Sequence, residues 1–157
     1  MKFSRNGIDF LKLLESCKLK PYDDQTGNPI ATWCKGATIG YGHLIQFDEW
    51  PKFKGGILHA EANLLLEQET DEKQKVVDRL ITVELNQNQF DAACILAFNI
   101  GLHAFESSSV LMWINGTGTQ SNFSSLESAW KAWNKSQGKV MKGLINRREA
   151  EWNLWNA

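Results

Sequence analysis

Apolar residues recur at helical spacing from the start of the chain. Phe10, Leu13, Leu14 and Cys17 fall on one face, and Ser4 or Asn6 stands where a cap belongs, which predicts one amphipathic helix over 5–17 with Glu15 in its last turn. From Pro21 to Leu44 the period gives way to turn formers. Asp23-Asp24, Thr26-Gly27-Asn28-Pro29 and Lys35-Gly36 separate two β-prone runs, Ile30 to Trp33 and Thr38 to Tyr41, and predict a small β-hairpin region. Residues 46–57, with Pro51 and Gly55-Gly56, read as a loop. A run of helix formers then fills 59–81, with Leu58, Ala62, Leu65, Val76, Val77 and Leu80 on its buried side and an all-polar middle from Glu67 to Lys75. Such a helix is either a bridge between two lobes or an element with one solvated, charged face. Further helices are predicted at about 87–100, 104–115, 124–134 and 139–155, broken at Asn115-Gly116-Thr117-Gly118 and Gln137-Gly138.

This order of elements predicts an α+β architecture in one domain spanning 1–157: a small N-terminal β-sheet lobe, about 18–58, and a larger helical lobe, 1–17 with 82–157, joined by the long helix 59–81. A cleft between the lobes is the natural place for a polymeric ligand.

Composition narrows the function. A chain of 157 residues with 43% hydrophobic and 22% charged residues is long enough for a real core and is not of disordered type. The net charge of −1, basic at both ends and acidic in the middle, argues against nucleic acid, which favours a large basic excess. Lys2, Arg5, Asp9 and Lys12 interrupt the first apolar stretch, so neither a signal peptide nor a membrane anchor is expected. Cys17, Cys34 and Cys94 cannot all pair and lack metal-ligand spacing; they are expected as free thiols, mostly small apolar fillers, and no metal or cofactor is implied.

Candidate chemistry lies near the N-terminus. Hydrolysis of a glycosidic bond needs an acid for the leaving oxygen and a carboxylate that activates water or attacks the sugar. Glu15, at a helix end whose dipole disfavours a negative charge, and Asp24, in a polar turn beside Asp23, are candidates for the two roles, although solvated surface carboxylates look the same in sequence. Thr38-Ile39-Gly40-Tyr41-Gly42-His43 follows, with a hydroxyl at Thr38 and two glycines, Gly40 and Gly42, that permit close backbone approach.

Read together, Glu15, Pro21-Tyr22-Asp23-Asp24 and Thr38 to His43 resemble the phage lysozymes of glycoside hydrolase family 24. Leu85 to Ala92, Phe98-Asn99-Ile100-Gly101, Phe105 to Ser109, Trp133 and Lys142 to Glu149 extend the resemblance, to the prophage endolysin branch, over nearly the whole chain. The resemblance implies a lysozyme-like fold and a muramidase that cleaves between N-acetylmuramic acid and N-acetylglucosamine in peptidoglycan, without a cofactor. It assigns Glu15 as general acid, Asp24 as catalytic carboxylate and Thr38 as the group that positions water. Inversion is the expected outcome, with the carboxyl groups ~6.5–9.5 Å apart.

Asn99 matches a sugar-binding position and Arg147 a partner for the acid; such a partner would favour the charged Glu15 that the helix end disfavours, leaving the net direction open. His43 matches a histidine better read as structural than catalytic. Tyr22 and Tyr41 stand either along the sugar path or in aromatic packing. The late tryptophans, Trp130, Trp133, Trp152 and Trp155, read as core, and Trp33 as the better exposed candidate. The interval from Asp24 to Thr38 is longer than in T-even enzymes, which leaves Asp23 and Thr32 as alternatives for the aspartate and threonine roles.

The same residues admit a lytic transglycosylase, which needs essentially one acid; a noncatalytic peptidoglycan-binding protein; and membrane disruption by the basic, aromatic C-terminal segment. Asp24 and Thr38 weigh against the first two, and a helix packed in the core explains the third without stable membrane insertion. The resemblance further implies synthesis in the host cytoplasm, release to the periplasm through a holin, and action as a monomer.

Overall fold

The computed structural model describes residues 1–157, all of the chain. Its elements run α1 (Arg5–Leu14), β1 (Lys18–Asp23), β2 (Ala37–Gly40), β3 (His43–Leu44), a 3-10 turn (Phe47–Glu49), α2 (Trp50–Phe53), α3 (His59–Leu80), α4 (Gln87–Ile100), α5 (Leu102–Glu106), α6 (Ser109–Ile114), a second 3-10 turn (Gly118–Gln120), α7 (Leu126–Lys131), β4 (Lys135–Ser136), β5 (Lys139–Val140) and α8 (Lys142–Trp155). The fold is α+β, as expected. Two compact units divide the chain, Ile8–Glu69 and Met1–Gly7 with Thr70–Ala157, so α3 contributes its first half to one and its second half to the other.

In the first unit, antiparallel strands β1, β2 and β3 form one sheet in that order. β2 is buried along its whole length, and Ala37, Ile39, Ile45 and Phe53 form the core on which Ile30, Trp33, Trp50, Ile57 and Leu65 pack. β1 carries Pro21, which has no N–H to give; its carbonyl instead accepts from Ile30 (3.2 Å), and Tyr22 bridges Pro29. The run Ile30 to Trp33 is thus a bend against β1 rather than the expected strand. Trp33 is also not a free platform: its indole N–H donates to the Ile45 carbonyl (2.9 Å) and its ring meets Phe47 edge-on. The expected loop at 46–57 contains helical turns, because Glu49 caps back onto the Gln46 N–H (2.9 Å) and Pro51 sits where a helix needs no donor.

In the second unit, α4 is the central helix. All residues from Phe90 to Ala97 are buried, and α8 is its principal neighbour. Asn86 and Gln89 close a capping box at its start, and Gly101 with φ +89° ends it. Ser4 caps α1, accepting from the Gly7 N–H (3.0 Å) and bonding the buried Asp91. Gln74, in the polar middle of α3, is buried and accepts from the Phe3 N–H, so that stretch is not a solvated face throughout.

Other boundaries differ from expectation for local reasons. α1 stops at Leu14, and its buried residues are Gly7 and Leu11; Leu13 is 83% exposed. Leu58, expected on the buried side of α3, is 72% exposed ahead of the helix, where its N–H donates to Glu61 (2.7 Å). The 104–115 helix is two, because the Ser108 hydroxyl accepts from the Leu111 N–H (3.1 Å) and starts α6 afresh. Residues 139–140 belong to a hairpin, β4–β5, turned by Gln137 and Gly138, both at positive φ. Trp130 and Trp155 are buried, Trp152 stacks on Trp155 and meets Trp130 at a tilt, and these three form one core cluster, whereas Trp133 is only partly buried. The three cysteines are free; Cys94 is buried on α4, which pushes its thiol up.

Candidate active site

Glu15 follows the last residue of α1. Its N–H donates to Leu11 (3.0 Å), closing the final helical turn, so the side chain leaves the helix end half-buried rather than within the last turn. Three residues later β1 begins and carries the chain to Tyr22 and Asp24.

The hairpin ladder sets the rest. Tyr22 lies opposite Thr38 and Asp23 opposite Ala37, and beyond the strand end the Asp24 N–H donates to the Gly36 carbonyl (3.0 Å). Tyr22 and Asp24, two positions apart, therefore meet Thr38 and Gly36 across the ladder. Thr38 is buried, and its hydroxyl donates to the same Gly36 carbonyl (2.9 Å). Burial raises the Tyr22 phenol above its ordinary range, and the negative charges of Glu15 and then Asp24 raise it further. The Lys18 ammonium lies 4.0 Å from the Tyr22 ring centroid.

The two neighbouring acids differ. Asp23 organises the turn: its carboxylate accepts from the Gln25 N–H (3.0 Å) and the Thr26 hydroxyl (3.2 Å), while its backbone bonds Gly27 and Asn28. Asp24 is exposed over the α-carbon of Gly36. Thr32 lies on an exposed bend, outside the ladder that holds Thr38.

Tyr41 and Gly42 form the β2–β3 turn, with Gly40 before it and Gly42 within it at positive φ. Gly40 packs on Ala62, whereas Gly42 faces open space. Burial first, then the neighbouring Cys17, raises the Tyr41 phenol above its ordinary range. His43 is clamped between Glu69 (Nδ1, 2.6 Å) and Glu49 (Nε2, 3.2 Å) and packs on Phe53. The bond to Glu69 raises its pKa against burial, with both carboxylate charges adding to the rise.

Asn99 and Arg147 belong to the other unit. Asn99 Oδ1 accepts from Arg148 (2.6 Å), and Arg147 Nε donates to Glu151 (3.0 Å). Glu151 also receives Arg148 (3.0 Å) and the Trp130 indole N–H (3.0 Å), and these three side chains are buried. Sequence reasoning missed Glu151, whose only signal was its i,i+4 and i,i+3 spacing from two arginines. Gly36 was likewise read only as a turn former. No group of three or more His, Cys, Asp or Glu side chains is placed to hold a metal ion.

The chain is similar to known proteins over most of its length. The phage lysozyme family model matches residues 12–151. The endolysin of Bacillus phage B103 is 37% identical over 155 residues, covering 99% of this chain and 54% of that protein. The endolysin of Salmonella phage P22 is 37% identical over 156 residues, covering 99% and 98%. The chain therefore spans about half the length of the Bacillus phage relative and nearly all of the P22 one. Among solved structures, the muramidase domain of SpmX from Asticaccaulis excentricus has a TM-score of 0.77 at 29% identity, covering 99% of this chain and 98% of that one. The chain belongs to the phage lysozyme family and has the lysozyme-like fold of its endolysin relatives.

Proposed function

We propose that the chain is a muramidase that hydrolyses the β-1,4 bond between N-acetylmuramic acid and N-acetylglucosamine in bacterial peptidoglycan, with inversion, for host-cell lysis. The observation that carries the reading is local: Glu15 stands between α1 and β1, β1 sets Tyr22 opposite Thr38, and the Asp24 N–H and the Thr38 hydroxyl donate to the same Gly36 carbonyl. Glu15 protonates the leaving glycosidic oxygen. Thr38 holds a water on the opposite face of the sugar, and Asp24 takes a proton from that water as its oxygen bonds the anomeric carbon and the glycosidic bond breaks. Asp23, committed to its turn, and Thr32, outside the ladder, fit these roles less well. Tyr22, Tyr41, Asn99 and Arg147 serve substrate binding in this reading, and His43, Gly40 and Gly42 shape the local structure.

The names of the relatives, endolysins and a muramidase domain, support the substrate class. No helix is long and apolar enough to cross a membrane. Release from the host cytoplasm through a holin, action in the periplasm as a monomer, and no role for nucleic acid or stable membrane insertion complete the proposal.

The test is clearance of purified peptidoglycan by wild type, Glu15→Gln and Asp24→Asn, with mass spectrometry and anomeric NMR of the fragments. Reducing-end muropeptides of inverted configuration, with both variants severely impaired, are expected. Anhydro-muramic products would replace hydrolysis by transglycosylation, and an active Glu15→Gln would dismiss the site.

A further inference from the structure

We propose that Gly36 is a positioning residue for this reaction: its missing side chain makes room for the Asp24 carboxylate, and its carbonyl sets the direction of the Thr38 hydroxyl. The proposal rests on Asp24 and Thr38 being the pair that activates water.

Two independent features of Gly36 support it. Its φ is +98°, and a Cβ built there would overlap Asp24 Oδ1 and stand 3.3 Å from both Asp24 Cγ and Asp23 Oδ1. Any side chain would push the Asp24 carboxylate off the hairpin. Its carbonyl also accepts two bonds, from the Asp24 N–H (3.0 Å) and from Thr38 Oγ1 (2.9 Å). A carbonyl oxygen has two lone pairs, so both are used, and the backbone of the acid and the side chain of the threonine are tied to one atom.

The consequence concerns the orientation of water. A threonine hydroxyl has one proton, and here it goes to Gly36; the group therefore meets a water with its lone pairs. The water must donate one O–H to Thr38 and its other O–H to Asp24. Its own lone pair is then left for the anomeric carbon. As the new C–O bond forms, the second proton passes to Asp24, the glycosidic bond breaks, and the leaving oxygen takes the proton of Glu15. With the Thr38 hydroxyl reversed, its proton would compete for the lone pair that has to attack.

Gly27 provides the control within the same hairpin. It too has positive φ, +72°, but a Cβ there would meet only Lys18 Nζ, at 3.9 Å. Ala at either position carries the strain of an L-residue at positive φ; only Gly36→Ala displaces Asp24. Steady-state kinetics on soluble peptidoglycan strands should show Gly27→Ala within about twofold of wild type. Gly36→Ala should lose kcat about a hundredfold or more with KM within about threefold, as expected for a reacting group displaced by an ångström or so. A folded Gly36→Ala whose kcat matches that of Gly27→Ala overturns the proposal. Full activity in Asp24→Asn removes the reading beneath it, a failure distinguishable from the first. Should Gly36→Ala not fold, the double variant Asp24→Ala/Gly36→Ala decides, since removing the carboxylate relieves the overlap: recovery of a cooperative thermal transition supports the proposal, and continued failure to fold overturns it.

Discussion

Glu151 and Asp24 are both carboxylates near a run of charged residues, and the two units use them in opposite ways. Glu151 is wholly buried and accepts from Trp130, Arg147 and Arg148. Burial pushes its carboxyl up against the downward pull of Arg148 and then Arg147. Asp24 is exposed, its backbone is pinned to Gly36, and its carboxylate lies over a glycine that leaves it room. A carboxylate whose lone pairs are consumed by buried donors is a strut. One held by its backbone, with its carboxylate exposed, is accessible to a substrate.

The largest expected effect tests the exposed side of this contrast. Asp24→Asn and Glu15→Gln should each lower kcat by about 10³–10⁴-fold, or ~4–5.5 kcal/mol of barrier. The Asp24→Asn melting temperature should move by no more than about 2 °C, the usual range for a surface change in a chain of this size. The buried side should behave in the reverse sense. Glu151→Ala removes the carboxylate that binds two guanidinium groups and an indole, and should destabilise the protein by about 3–5 kcal/mol. At 2–4 °C per kcal/mol, a melting temperature lower by ~6–20 °C is the calorimetric signature. Comparable loss of stability in Asp24→Asn would break the comparison.

What could be read from sequence follows the same division. Helices with regular periods and sequence-local caps were legible: α4 begins at the Asn86 box and ends at Gly101, and α3 runs to Leu80, one residue short of expectation. The α+β fold class followed from them. Elements decided by contacts across the chain were not. Leu13 has an apolar side chain but lies outside the buried face, and Ile30 to Trp33 has strand propensity but is held as a bend by Pro21 and Pro29. A single serine, Ser108, splits one predicted helix in two. In the site, the candidates Glu15, Asp24 and Thr38 stood out by residue type and order, whereas Gly36 did not. Its part is played by a carbonyl and an absent side chain, and neither has a sequence signature beyond a turn.

A smaller effect sharpens the role of the ladder. Thr38→Val keeps the shape of a buried side chain but cannot donate to Gly36, and should cost about 10–100-fold in kcat, the scale of a hydrogen bond of ~1.4–2.7 kcal/mol at the reacting centre. Thr38→Ser retains the donor and should recover most of that loss. Equal activity in the two variants would show that the hydroxyl has no part in the reaction, even though it lies opposite Tyr22.

The smallest expected effect lies between the two extremes, where a carboxylate pair holds a partner that itself titrates. His43 is clamped by Glu69 and Glu49, and its folded pKa is raised chiefly by the bond to Glu69. The folded protein therefore holds this proton more tightly than the unfolded chain, whose histidine titrates at about 6.5. The clamp's contribution, discounted for the solvent that reaches both carboxylates, is ~0.5–1.5 kcal/mol and is fully present below that pH while both carboxylates remain ionised. It is lost as pH rises through the raised folded value. Urea unfolding of wild type and His43→Asn at intervals from about pH 5.5 to 9 should give a stability difference that shrinks steadily toward the alkaline end. A difference that is flat or grows with pH would mean that the imidazole is held neutral. Because His43 lies opposite Ile39, the residue after Thr38, the same titration has a second readout in activity. If kcat falls with the midpoint of the stability change, the clamp supports the strand that carries Thr38; an unmoved kcat would confine it to β3 and leave the ladder between β1 and β2 as the sole support of the site.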